Sequence, residues 1–272
     1  MTAGASARAR PPHRKRFGQH FLHDPAVIAR LLQALDVRPG DHLVEIGPGN
    51  GALTRQLLTL PDVTLDAIEI DRDLSARLQP AFSAQPRQRL YVADALEFDF
   101  RALAAERGGR LRIIGNLPYN ISTPLLFHLA DAAAALIDLQ VMLQREVVAR
   151  MVAPPGGKDY GRLTVMLSPI FTIERLFEVG PGAFQPPPKV WSAVARLVTR
   201  GTPEFPVSPH FAAVVAAAFS QRRKTLRNAL SAYLTREQIS AAGVDPAARP
   251  ETLTPAAFNT LAATLDRTRR EG

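Results

Sequence analysis

Apolar runs of strand length recur along the first half of the chain and alternate with stretches of helical period. Leu43, Val44 and Ile46 read as a buried strand, and Ala52, Leu53, Leu57 and Leu58 as the apolar stripe of the helix that follows. Val63, Leu65, Ala67 and Ile68 make a second run, Leu90, Tyr91 and Val92 a third, Leu111, Ile113 and Ile114 a fourth, and residues 136–143 a fifth, followed by a helix-like stretch at 145–152. Continuous apolar strands interleaved with helices predict an α/β fold with a parallel sheet covered by helices. Residues 154–158 (Pro-Pro-Gly-Gly-Lys) then read as a loop that could border an active site. Residues 162–170 read as a helix, and 172–179 and 190–198 as an antiparallel strand pair at one sheet edge, joined by a loop containing Phe184. The Gly- and Pro-rich stretch 199–209 marks a domain boundary. Beyond it, Phe211, Val214, Val215, Ala218 and Phe219 recur at helix spacing, and helices near 237–242 and 255–265 complete a small bundle.

The polar residues between these runs fall where chemistry would sit. Gly47, Gly49 and Gly51 follow the first strand, and without Cβ atoms they let the chain turn tightly and bring backbone N–H groups close to a ligand. Glu69 ends the second run, roughly 20 positions after the first glycine, where a carboxylate can accept from both ribose hydroxyls of a nucleoside. This much fits a nicotinamide dinucleotide as well as S-adenosyl-L-methionine, and a glycine loop can also do no more than turn the chain. Asp94, after the third run, could accept from an adenine amino group; a bare Asp in a loop is otherwise a cap or turn residue. It is the third strand in succession to end in a polar group, and ligands in such sheets sit at the carboxyl ends of strands.

Asn116-Leu117-Pro118-Tyr119, just past the fourth run, is the most specific signal. The lone pair of an exocyclic adenine N6 is delocalised into the ring, so the nitrogen attacks poorly until acceptors hold its hydrogens. The Asn116 side-chain oxygen and the Leu117 carbonyl can be two such acceptors. Pro118 stiffens the turn, and Tyr119 offers a flat face for a base extruded from its stack. The chemistry is positional and electrostatic and needs no strong base.

Six motifs together resemble the ribosomal RNA adenine N6-dimethyltransferases, from about residue 14 to the last helix. They are Phe17-Gly18-Gln19-His20-Phe21-Leu22, the stretch from Glu45-Ile46-Gly47 to Leu53-Thr54, Glu69-Ile70-Asp71, Asp94-Ala95, Asn116 to Ser122, and Phe184-x-Pro186-x-Pro188-Lys189-Val190. The chain is most similar to the bacterial branch that dimethylates two adjacent adenines near the 3′ end of small-subunit (16S) ribosomal RNA. The resemblance implies S-adenosyl-L-methionine as methyl donor, with His20, Leu22, Gly47, Glu69, Asp94 and Asn116 lining its pocket. Position 20, often Asn in that family, is His here, and a backbone or ring-nitrogen contact would serve the same purpose. The resemblance also makes Phe184 a second aromatic that sandwiches the target base with Tyr119, although a proline-flanked Phe is otherwise a loop anchor in the core.

Length and composition agree. At 272 residues the chain can bury a sizeable core and divide into two domains. No apolar run reaches the roughly 20 residues of a membrane-spanning helix. The absence of Cys excludes disulfides and is compatible with the cytoplasm. Six histidines without metal-ligand spacing, and no Cys-x-x-Cys, argue against a metal site and a zinc deaminase. A net charge of +8 points to a polyanionic partner. Arg8, Arg10, Arg14, Lys15 and Arg16 precede the first acid, Asp24. The Arg-rich start resembles a transit peptide, but only about sixteen residues precede the Phe17 motif, and we read them as a flexible basic arm on phosphates. Arg222, Arg223, Lys224 and Arg227 cluster around Leu226 without an intervening acid, which favours RNA docking over a solvated face.

These readings combine into a basic arm over 1–16, a Rossmann-like methyltransferase domain over 17–200 and a smaller helical RNA-docking domain over 201–272, acting as a monomer on small-subunit ribosomal RNA and the pre-30S particle. The alternatives are a large-subunit adenine methylase of the antibiotic-resistance type, disfavoured by the residues following Tyr119, a non-catalytic assembly or transcription factor on the same fold, and a nucleotide-dependent oxidoreductase.

Overall fold

The computed structural model describes residues 19–221 and 224–271. The expected arm over 1–16, Phe17 and Gly18, and Arg222 and Arg223 lie outside the described residues. Five parallel strands, β2 (His42–Ile46), β3 (Thr64–Glu69), β4 (Gln88–Val92), β5 (Leu111–Asn116) and β6 (Leu136–Gln144), stand in the order β4-β3-β2-β5-β6. β7 (Phe171–Val179) and β9 (Ser192–Thr199) extend the sheet as β6-β9-β7, both pairings of β9 being antiparallel. The edge strand pair thus forms as its pattern predicts.

Successive residues of the inner strands enter opposite cores, the period-2 alternation that pleating imposes. Leu43, Leu65 and Ile114 pack with α1 (Pro25–Leu35), α2 (Thr54–Leu57) and α3 (Arg72–Ser83) on one face. Val44, Ile46 and Ile113 pack with α4 (Phe100–Arg107), α5 (Ser122–Asp131), α6 (Arg145–Met151) and α7 (Arg162–Leu167) on the other. Burial on both faces is why these strands read as unbroken apolar runs. The entry ends of the strands are held by charge. Arg112 grips Asp138 through Nε at 2.8 Å and Nη2 at 2.9 Å and also donates to the carbonyls of Leu35 and Asp36, fastening the end of α1 beneath the sheet.

α1, α3 and α4 start on the carboxylates of Asp24, Asp71 and Asp99, each accepting from two backbone N–H groups of the first turn. A two-stranded antiparallel ribbon, β1 (Phe21–Leu22) with β8 (Phe184–Gln185), lies apart from the main sheet.

α8 (Phe211–Phe219), α9 (Leu226–Ala229), α10 (Arg236–Ala241) and α11 (Pro255–Glu271) build a third core around Val214, Leu226, Ile239 and Phe258. That core also takes Tyr160 and Val165 from before the expected boundary, and Tyr160 donates its hydroxyl to the Leu253 carbonyl at 2.6 Å. The 154–158 loop is correspondingly tied to the helical part, Gly156 N donating to Glu251 O at 2.7 Å, and does not line the main cavity. The helix predicted over 162–170 ends at Leu167.

Candidate active site

The carboxyl ends of β2, β3, β4 and β5 open side by side onto a cavity of about 330 Å³. Residues 47–51 leave β2, Glu69 ends β3, Asp94 follows β4 and Asn116 ends β5, so four separate sequence signals meet at one sheet edge. The β1–β8 ribbon brings His20 and Leu22 against the same cavity.

The glycine turn is held from within. Gly47 N donates to Ile68 O at 2.9 Å, Gly49 N to Glu69 Oε2 at 3.1 Å and Gly51 N to Pro48 O at 2.8 Å. This corrects the expectation that these N–H groups face a ligand. Their use inside the fold withholds these three donors from a pyrophosphate, and the helix that follows, α2, has only four residues. Both facts speak against a dinucleotide and for a nucleoside held by side chains. Gly49 has φ of +55°, and a Cβ there would stand 2.9 Å from Phe21 Cδ1, so a side chain would push the β1 segment off the turn.

Glu69 is 3% exposed, and its Oε1 accepts from Asp71 N at 2.9 Å. Burial pushes its carboxyl above the usual range, against the backbone N–H groups of Asp71, Gly49 and Ile70 that hold it down. A carboxylate has about four lone-pair sites, so it keeps capacity for a hydroxyl beside these backbone donors. Beside it Glu45, also buried and lining the cavity, is pushed up to about 7 by burial, with the negative Glu69 adding to the effect. Glu45 opens the Glu45–Thr54 motif in the sequence but carries no site role there, because it lies inside an apolar strand run. Asp94 Oδ1 accepts from Leu96 N at 2.9 Å, the turn role weighed above, which leaves Oδ2 for a ligand.

The Asn116 turn is the most constrained part. Asn116 Nδ2 donates to the His20 carbonyl at 2.9 Å. A carbonyl only accepts, so the amide nitrogen must face it, and Oδ1 remains for the cavity. His20 therefore acts through its backbone, and its ring Nδ1 donates to Pro186 O at 2.8 Å. Leu117 N donates to Met142 O at 3.1 Å, Ile121 N to Pro118 O at 3.2 Å and Ser122 Oγ to Tyr119 O at 3.1 Å. Of the Leu117, Pro118 and Tyr119 carbonyls, that of Leu117 alone accepts no hydrogen bond among the described residues. The half-buried Tyr119 is pinned by its hydroxyl, 2.8 Å from Ser192 Oγ, a partner sequence reasoning missed.

Phe184 departs from expectation. It is 1% exposed, packs in the core with Leu22, its neighbour across the ribbon, and does not line the cavity. Pairing of β8 with β1 turns the ring inward, and the aromatic neighbour of Tyr119 is instead His20, with ring centroids 5.7 Å apart and planes tilted by 35°. Of the basic cluster, Lys224 precedes α9 and Arg227 lies within it, both exposed.

The sequence profile of the family described as ribosomal RNA adenine dimethylase matches residues 12–267. The chain belongs to that family. Among its relatives, the ribosomal RNA small subunit methyltransferase A of Pseudomonas syringae pv. tomato is 53% identical over 93% of this chain and 94% of its own length. The protein of the same name from Laribacter hongkongensis is 55% identical over 89% and 91%. Of solved structures, a dimethyladenosine transferase from Plasmodium falciparum superimposes with a TM-score of 0.75 at 22% identity, covering 92% of this chain and 98% of that one. The 23S rRNA methyltransferase ErmE gives 0.67 at 28% identity over 90% and 99%. As a member of this adenine dimethylase family, the chain is a methyltransferase with a Rossmann-like fold. Among the described residues no group of His, Asp or Glu could hold a metal ion, and no helix is long and apolar enough to cross a membrane.

Proposed function

We propose that this enzyme transfers methyl groups from S-adenosyl-L-methionine to N6 of two adjacent adenines near the 3′ end of small-subunit ribosomal RNA, giving N6,N6-dimethyladenosines during assembly of the pre-30S particle in the cytoplasm. The observation that carries the reading is the Asn116 turn, with Oδ1 freed by the His20 carbonyl and the Leu117 carbonyl beside it, at the mouth of a nucleoside-sized cavity.

The residues fit the donor. Glu69 accepts from the ribose hydroxyls, Asp94 Oδ2 from the adenine amino group, and Leu22 and the glycine turn close over the apolar faces. The bound donor supplies an electrophilic sulfonium methyl, so the protein has only to orient and to match charge. Asn116 Oδ1 and Leu117 O take the two N6 hydrogens and turn the nitrogen lone pair towards the methyl group. Tyr119 stacks on the flipped base, its ring fixed by Ser192 and flanked by His20. The N6 proton becomes acidic as the new bond forms and passes to water.

Lys224 and Arg227, with Arg222 and Arg223 outside the described residues, hold RNA phosphates, as does the arm over 1–16. The helical part beyond residue 200 docks the enzyme, as a monomer, on the folded particle. Nucleoside mass spectrometry of small-subunit rRNA from cells with and without this protein tests the reading. Dimethyladenosine should vanish with the gene product, and its persistence would overturn the assignment.

A further inference from the structure

Trp191 is the only tryptophan of the chain, and it is 48% exposed, as is its neighbour Val190 at 44%. It stands immediately before β9, at the sheet edge where β6 ends, since its carbonyl accepts from Arg145 N at 2.9 Å and Gln144 and Val179 both pair with Ser192. This is the carboxyl-end edge onto which Asn116 opens. Ser192, one residue on, is fully buried and carries the hydroxyl that pins Tyr119. The indole is backed by Gly180, where a Cβ would lie 3.6 to 3.8 Å from three atoms of its six-membered ring. The rim around it is basic: Arg145 and Arg175 reach the single carboxylate Glu178, at 3.5 and 3.1 Å, and Lys189 is exposed. With Glu146, next to Arg145 and paired with Arg150 at 3.7 Å, four cations against two acids leave a net positive rim beside a half-bare aromatic surface.

We propose that Trp191 is a stacking platform for an unpaired RNA nucleotide flanking the target adenine, so that the strand is held outside the cavity while the target base turns into it. The inference rests on the RNA-methylating function proposed above. A half-open indole with a rigid back, flanked by cations, is the chemistry that holds unpaired strands: the face takes any base, and the cations take the phosphates on either side. A docking protein would also find Trp191 and Val190, but the surplus of cations and the link through Ser192 to the base-stacking tyrosine favour a polyanion with bases.

Because no other tryptophan emits, indole fluorescence excited beyond the tyrosine absorption reads this one side chain. Full-length enzyme is titrated with an end-labelled single-stranded oligoadenylate and with an abasic strand of equal length and charge. The expected result is quenching by oligoadenylate and little by the abasic strand. Trp191→Ala should bind oligoadenylate roughly 5- to 100-fold more weakly, as lost base stacking implies, and Trp191→Phe much less so, both variants keeping normal affinity for S-adenosylmethionine as a sign of an intact fold. Oligoadenylate binding with unchanged indole emission, equal quenching by the abasic strand, or a change seen only with ribosomal proteins would overturn the platform. If wild-type enzyme still methylates small-subunit particles in that case, the function stands without it; absence of both RNA binding and transfer overturns both.

Discussion

The backbone carbonyl of His20 accepts from Asn116 Nδ2 at 2.9 Å across 96 positions of sequence. This contact orients the amide so that its oxygen, not its nitrogen, is left for the substrate amine. Asn116→Ala should lower single-turnover methyl transfer by roughly 100-fold or more at saturating RNA and cofactor, the scale of a lost electrostatic partner in an active site, while RNA affinity stays near normal. Asn116→Asp should also be impaired, because a carboxylate would set one acceptor against the His20 carbonyl. Normal turnover in either variant would place the N6 acceptors elsewhere.

Glu69 both holds the glycine turn and faces the expected ribose. Glu69→Ala should lose charge-assisted hydrogen bonds of about 1.5–3 kcal/mol each, so S-adenosylmethionine affinity should fall at least tenfold by calorimetric titration. Glu69→Gln should rescue little, because its NH2 group would meet the N–H of Gly49 or Asp71. Full rescue by Gln would mean that the carboxylate's second oxygen is dispensable.

Glu45 predicts a pH dependence of stability. Its carboxyl is pushed from 4.5 up to about 7 in the folded protein, so between these values the native state binds more protons than the unfolded chain. Stability should therefore fall as pH rises from 4.5 through 7 and level off above. The shift corresponds to about 3 kcal/mol. Urea unfolding of Glu45→Gln against pH should show a flatter curve than wild type, with the variant gaining most at pH above 7. Parallel curves would contradict the buried, proton-holding carboxyl.

The two roles weighed for Phe184 are separable. Buried as it is, Phe184→Ala should cost about 3–5 kcal/mol of stability, read as a lowered unfolding midpoint. Phe184→Leu fills most of the space and should keep both the fold and transfer within a few-fold of wild type. A folded Leu variant that has lost transfer would restore Phe184 as a base-stacking residue.

Much of this was legible in the chain because it is periodic. The inner parallel strands are buried on both faces, the edge strand β4 is only partly covered, and the strand ends carry Gly47, Glu69, Asp94 and Asn116, so strand-end positions read from sequence line these residues along one edge. What escaped reading depends on contacts that have no period. β1 and β8 are two residues each, and their pairing, which buries Phe184 and delivers the His20 carbonyl, joins segments over 160 positions apart. The occupation of Gly49 N by Glu69, and of Tyr119 Oη by Ser192, are likewise tertiary choices among donors and acceptors that composition leaves open.

The product tests the central claim most directly, since a second methyl requires that a monomethylated N6 can turn its remaining hydrogen to Asn116 Oδ1 or Leu117 O. Small-subunit particles lacking the modification are incubated with enzyme and labelled S-adenosylmethionine, the RNA is digested, and the fragments are weighed. Four methyl groups should be found on two neighbouring adenines near the 3′ end, with naked RNA a poorer substrate than the particle. Monomethyladenine alone, or label confined to large-subunit RNA, would contradict the account.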